Sequence, residues 1–172
     1  MGDDESPKEL YRRAWKHIDA KEFAEAEAPL RQLIEITDAE DPIRLWELHG
    51  LLAGVLNSLS RTAEGTDMYR RALAEARRAG DSHSAVGPAR YMLANQYLLF
   101  EDPSDALAEA EPVPNGAGHV QCLLHSIAAQ ALWKLGRRDE AQAAAQQAMD
   151  TSPTAERRAD MTRDLAHILG AG

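Results

Sequence analysis

LLHSIAAQALWKLGRRDEAQAAAQQAMDTSP, residues 123–153, decides the fold. Its first half repeats apolar residues at helical spacing, at Leu124, Ile127, Ala128, Leu132 and Leu135. Gly136 breaks that helix, and Arg137-Arg138-Asp139 leads into a second with Ala141, Ala145, Ala148 and Met149 on one stripe. Pro153 then prevents continuation. Two helices joined by so short a turn have to lie antiparallel, and alanine at their crossing lets the backbones approach closely.

The same plan recurs upstream. Residues 10–36 (LYRRAWKHIDAKEFAEAEAPLRQLIEI) pair a helix ending near Ala20 with one carrying Phe23, Ala26, Leu30 and Leu33. Residues 51–81 turn at SRTAEG and continue with Tyr69, Ala72, Leu73 and Ala76. Residues 90–112 turn at EDPSDA. The equivalent joints, Lys21, Ser60, Glu101 and Gly136, lie 39, 41 and 35 residues apart. A near-constant period is the mark of a helical repeat. Start signals agree: Ser6-Pro7, Asp41-Pro42, Asp102-Pro103 and Ser152-Pro153 each set a capping side chain before proline. Ser6 and Glu9 add a capping box. The spacing predicts helices over 7–19, 22–37, 42–59, 62–79, 84–100, 103–111, 117–135, 138–150 and 154–169. The segment EPVPNGAG, 111–118, is read as a loop whose prolines cut the preceding helix short.

Composition points the same way. Alanine and leucine dominate the apolar share, aromatics are 5%, and β-branched residues are sparse, so helix is favoured over strand. With 28 acidic and 19 basic residues the net charge is −9, which repels phosphate backbones and anionic membrane surfaces. Five arginine pairs are dispersed among acids and read as solvated faces. The lone Cys122, inside VQCLLHSIA, rules out an internal disulfide and reads as a buried thiol of a cytoplasmic protein. The N-terminal residues lack the apolar stretch of a signal peptide, and LLAGVL is too short to span a bilayer.

These units resemble the tetratricopeptide repeat, whose W-x2-L-G-x2-Y…A-x3-F…A…P spacing follows from helix-pair packing. The fourth unit carries most of the resemblance, with Leu132 at the tyrosine site, Gly136 at the turn, Ala141, Ala145 and Ala148 on the second helix, and Pro153 as terminator. The third keeps Leu93, Ala94 and Tyr97, then departs at Pro112. The second keeps Leu52, Ala53 and Leu56 but has Gly65 where alanine is usual. The first sets Arg13 and His17 at apolar sites. Intervals above the family's ~34 residues are similar to the longer-helix repeats of kinesin light chains and bacterial regulatory proteins. The resemblance implies one all-α domain over 1–172: a right-handed α-solenoid of four pairs (7–40, 42–80, 84–112, 117–153) with a capping helix at 154–169.

It also implies a concave groove lined by the first helix of each pair. By helical phase that groove would hold Tyr11, Trp15, Gly54, Asn57, Tyr91, Asn95, Gln130 and Trp133, aromatics beside amides that can pair with a peptide backbone. Glycines 50 and 54 would open a shallow depression. Packing between helices is the alternative for the aromatics. Some members of the family hold a C-terminal carboxylate with a Lys–Asn–Arg clamp. Only Asn95 stands at such a site here, which disfavours a chaperone-tail receptor. No phosphate loop, H-E-x-x-H or i, i+4 histidine pair is present among His17, His49, His83, His119, His125 and His167. The expected function is therefore a non-catalytic scaffold for another protein or peptide, with no metal, cofactor, nucleic acid or membrane partner. A peptide-sensing receptor and a self-associating homo-oligomeric module are the alternatives.

Overall fold

Three of the four joints are closed by one backbone device. In the computed structural model, which describes residues 5–114 and 118–170, Lys21, Ser60 and Gly136 have left-handed φ values of 59°, 61° and 77°. In each turn the amide of that residue donates to the carbonyl three back, and the next amide to the carbonyl five back from itself: Glu22 to His17, Arg61 to Leu56 and Arg137 to Leu132. This double closure satisfies carbonyls that the helix end would leave unpaired. The turn at Glu101 is different. Its amide donates to the Tyr97 carbonyl four back at 3.0 Å, and Asp102 at once caps the next helix through the Ser104 amide at 2.6 Å.

Every helix predicted from the sequence is present. Among the described residues the chain forms α1 (Pro7–Asp19), α2 (Phe23–Ile36), α3 (Pro42–Ser58), α4 (Thr62–Arg78), α5 (Val86–Phe100), α6 (Pro103–Ala110), α7 (His119–Lys134), α8 (Arg138–Asp150), α9 (Ala155–Asp164) and α10 (Ala166–Leu169), and no strand. The middle of the loop read at 111–118, and the helix start expected at 117, lie outside the described residues. Ser6 and Glu9 make the capping box, and Asp41 accepts from the Arg44 amide at 2.9 Å. Two expectations need correction. Ser152 does not start the last helix: its hydroxyl donates to the Ala148 carbonyl at 2.8 Å, finishing α8, and Thr154 caps α9 instead. That final helix also breaks at Leu165, which is fully buried together with Ile168.

The chain falls into two compact units, Met1–Ala89 and Arg90–Gly172. In the first, α1 packs on α2, α2 on α3 and α3 on α4. Leu10, Ala14, Ala26, Leu30, Leu33, Leu48, Leu52, Ala53 and Leu56 form its core. In the second, α6 packs on α7, α7 on α8, and α8 on α9 and α10. Its core gathers Ala94, Leu98, Ala106, Leu124, Ile127, Leu132, Ala141, Ala145 and Ile168. A fully buried leucine contributes roughly 1.5–3 kcal/mol, whereas an exposed ion pair contributes about 0–1 kcal/mol. Burial therefore holds the pairs together, and the small residues of the sequence stripes set how closely they pack. Leu135 is an exception: expected on the buried stripe, it is exposed, as are Leu99 and Phe100. No helix among the described residues is long and apolar enough to cross a membrane.

Candidate functional site

Tyr11 and Trp15 are one helical turn apart on α1, so their side chains meet on one face. The rings pack edge to face at 6.3 Å and 67°. From α3, Arg44 lays its guanidinium over Tyr11 at 4.4 Å and reaches the Glu47 carboxylate at 3.5 Å. Each such aromatic or cation–π contact contributes about 0.5–1.5 kcal/mol, enough to fix the Tyr11 ring. Trp15 stays 37% exposed. The first unit thus presents an indole face braced by a fixed tyrosine and an arginine. Such a surface can take an apolar anchor and pair its rim with a carboxylate or a main-chain carbonyl.

Asn57, the third residue expected in this unit, points into its own helix pair. A β-carbon added at the buried Gly65 of α4 would lie 2.3 Å from the Asn57 Oδ1 and 3.3 Å from the Ala53 carbonyl. The small residue at Gly65 is therefore matched to the asparagine across the pair. A β-carbon added at Gly54 would meet nothing within 4 Å, so space lies open beside that turn of α3.

The four residues expected in the second unit lie on α5 and α7. Tyr91 is half-buried against the core, and burial pushes its phenol up despite Arg157. Asn95 is partly buried one turn further along α5. Gln130 donates to the buried Ser126 hydroxyl at 3.3 Å. Trp133 is engaged twice: Arg138 lies over its ring at 3.5 Å, and His167 meets it edge to face at 5.7 Å. Its indole is thereby held against the start of α8 and the last helix, α10.

The buried titratable groups sit apart from these surfaces. Burial and the Arg71 charge push His49 down against the Glu75 carboxylate, and its Nδ1 is buried without a hydrogen-bond partner. Cys122 is buried as expected, its thiol pushed up by burial and donating to the His119 carbonyl at 3.1 Å. Among the described residues no three of His, Cys, Asp and Glu are placed to hold a metal ion.

One feature escaped the sequence reading. A pocket of about 740 Å³ opens in the second unit between the end of α6 and the α7–α8 pair. Ala108, Glu111, Pro112, Val113, His125 and Gln147 are among its lining residues. The signal for it is the early stop at Pro112, which in the sequence reads only as a shortened helix. No protein-family model matches this chain, and no curated protein matches it.

Proposed function

We propose that this chain is a non-catalytic protein-binding module, built of tetratricopeptide-like helix pairs, that holds a peptide or helix of another protein. The observation that carries this reading is the Tyr11–Trp15–Arg44 surface. A tryptophan that stays over a third exposed, on a tyrosine clamped by an arginine from the next first helix, resembles the anchor-accepting aromatics of protein interfaces. The turns support the repeat reading, since three of the four use the same left-handed closure at the positions taken as equivalent. The finer description as a right-handed solenoid with a continuous groove belongs to the same proposal.

The test uses the intact protein as bait for a random twelve-residue peptide library displayed on phage. Selected peptides should bind through apolar anchors and lose at least tenfold in affinity on Trp15→Ala. Trp15 is 37% exposed and its side chain packs edge to face on Tyr11, so this variant should keep its helical circular dichroism while losing about 0.5–1.5 kcal/mol of stability with that contact. If no peptide is enriched, or if those enriched ignore Trp15, the reading is wrong.

A further inference from the structure

The pocket in the second unit has a structural origin in a missing stretch of helix. The second helices of the first and last pairs, α2 and α8, have 14 and 13 residues, whereas α6 has 8. The deficit is about one and a half turns at 3.6 residues per turn. Pro112 explains it, since proline disfavours the helical conformation in the residue before it and cannot donate an amide to a further turn. Where those turns would lie, Ala108 and Glu111 face His125 on α7 and Gln147 on α8 across the open pocket. One turn of helix with its side chains, 10–12 Å wide and 5.4 Å long, fills roughly 400–600 Å³. A 740 Å³ pocket therefore has room for a little more than one turn of peptide.

Its wall is held in place. Arg90 on α5 donates through Nε and Nη2 to the Glu109 carbonyl at 3.1 and 2.7 Å, and through Nη1 to the Pro112 carbonyl at 3.1 Å. The same guanidinium pairs with the Glu109 carboxylate at 3.4 Å. On the far side the Gly118 amide donates to the Thr151 carbonyl at 3.0 Å, fixing the start of α7 to the end of α8. A braced wall spares a ligand part of the ordering cost of binding.

The lining is chemically one-sided. Among the described residues that line it, Glu111 is the only one with a charge of fixed sign; its amide closes α6 on the Leu107 carbonyl at 3.0 Å, while its carboxylate makes no hydrogen bond or ion pair among the described residues. The cation whose field reaches it, Arg137, is already held by both carboxylate oxygens of Glu140 at 2.7 and 2.6 Å. His125 is half-buried, with neither ring nitrogen hydrogen-bonded among the described residues. Burial pushes its pKa down, so at neutral pH it offers one donor and one acceptor and no opposing charge. Gln147 adds an exposed amide, and Pro112 and Val113 an apolar wall.

We propose that this pocket is a second recognition site, which takes a little more than one turn of a partner peptide carrying a lysine or arginine, with Glu111 receiving the cation and His125 and Gln147 pairing with polar groups of the peptide backbone. It does not depend on the Trp15 surface, and its test removes that surface. Phage carrying random twelve-residue peptides are selected against the full-length Trp15→Ala protein, and affinities of the enriched peptides are measured by isothermal titration. Enriched peptides should contain lysine or arginine and lose at least tenfold in affinity on Glu111→Gln. They should lose binding altogether on Ala108→Trp, which fills the pocket from an exposed position. Glu111→Lys should reject the same peptides and select acidic ones instead. Failure to enrich any peptide, enrichment without a cationic residue, or indifference to both Glu111→Gln and Ala108→Trp would each overturn the proposal.

Discussion

Ser60 and Gly136 occupy the same left-handed position in two turns, and that shared conformation gives opposite expectations for substituting them. A residue with a β-carbon at such a φ costs roughly 1–2 kcal/mol relative to glycine. Gly136→Ala imposes that cost at φ 77° and should lower stability by about 1–2 kcal/mol. Ser60→Gly removes it at φ 61°, offset by the greater freedom of glycine in the unfolded chain, and should raise stability by up to about 1 kcal/mol. Urea unfolding of the two variants checks this, and equal signs would mean that the turns are not equivalent. Asn57 and Gly65 give the matching lesson about what a sequence leaves out. Helical phase puts Asn57 toward a groove and marks Gly65 as an oddity, whereas in the folded chain Asn57 fills the space that the missing β-carbon of Gly65 leaves. Phase along one helix fixes a direction to within a residue or so. It does not tell which neighbour lies in that direction.

At the level of elements, the helices were legible because their stop and start signals are local. Prolines after Ser6, Asp41 and Asp102 open helices where predicted, and Gly136 closes one. The break at Leu165 was not legible, since no glycine or proline marks it. It is imposed by tertiary burial of Met161, Leu165 and Ile168, with Gln142 of α8 donating to the Ile168 carbonyl at 3.4 Å. The pairs also share a fork that sequence spacing alone did not suggest. Arg61 and Arg137, each just before its second helix, bind Glu64 and Glu140 three residues on through both carboxylate oxygens at 2.6–2.7 Å. Only Arg61 goes further, reaching Glu27 of α2 at 2.6 Å. Burial would raise the Glu27 carboxyl, but Arg31 and Arg61 together hold it below its ordinary range. Arg137→Ala should therefore cost little, since its pair with Glu140 is exposed and screened by solvent. Arg61→Ala should cost more than Arg137→Ala, because it leaves the part-buried Glu27 with Arg31 as its remaining partner. Thermal or chemical denaturation of both variants would show it, and equal losses would mean that the link to α2 contributes nothing.

Across the whole molecule, no shift in composition announces the division between Ala89 and Arg90, because it falls within one helix, α5, rather than at a linker. The sequence reading accordingly treats 1–172 as one domain, while the two clusters of buried residues belong one to each unit. A property common to both units is the sign of their response to acid. His49 in the first and His125 in the second have folded pKa values pushed below the ordinary histidine value, in both mainly by burial. Below an unfolded value of about 6.5, the unfolded chain therefore takes up protons that the native state refuses. Stability is complete above that pH and is lost as pH falls toward the folded values. Glu9, Glu64 and Glu140, held low by hydrogen bonds to Ser6, Arg61 and Arg137, act in the same direction, at lower pH. Their contribution begins to fade only below about pH 5. The opposing term is relief of repulsion in a chain of net charge −9, but charges spread over a surface are screened beyond about 8 Å at physiological salt. Melting temperature at fixed ionic strength should therefore fall in two stages, first between pH 7 and 5.5 and again below 5. The first stage should shrink in His49→Leu, which removes a buried imidazole whose Nδ1 has no partner and should leave stability at pH 7.5 unchanged or raised. A melting temperature that stays level or climbs between pH 7 and 5.5 would show that charge repulsion, and not histidine burial, governs the response.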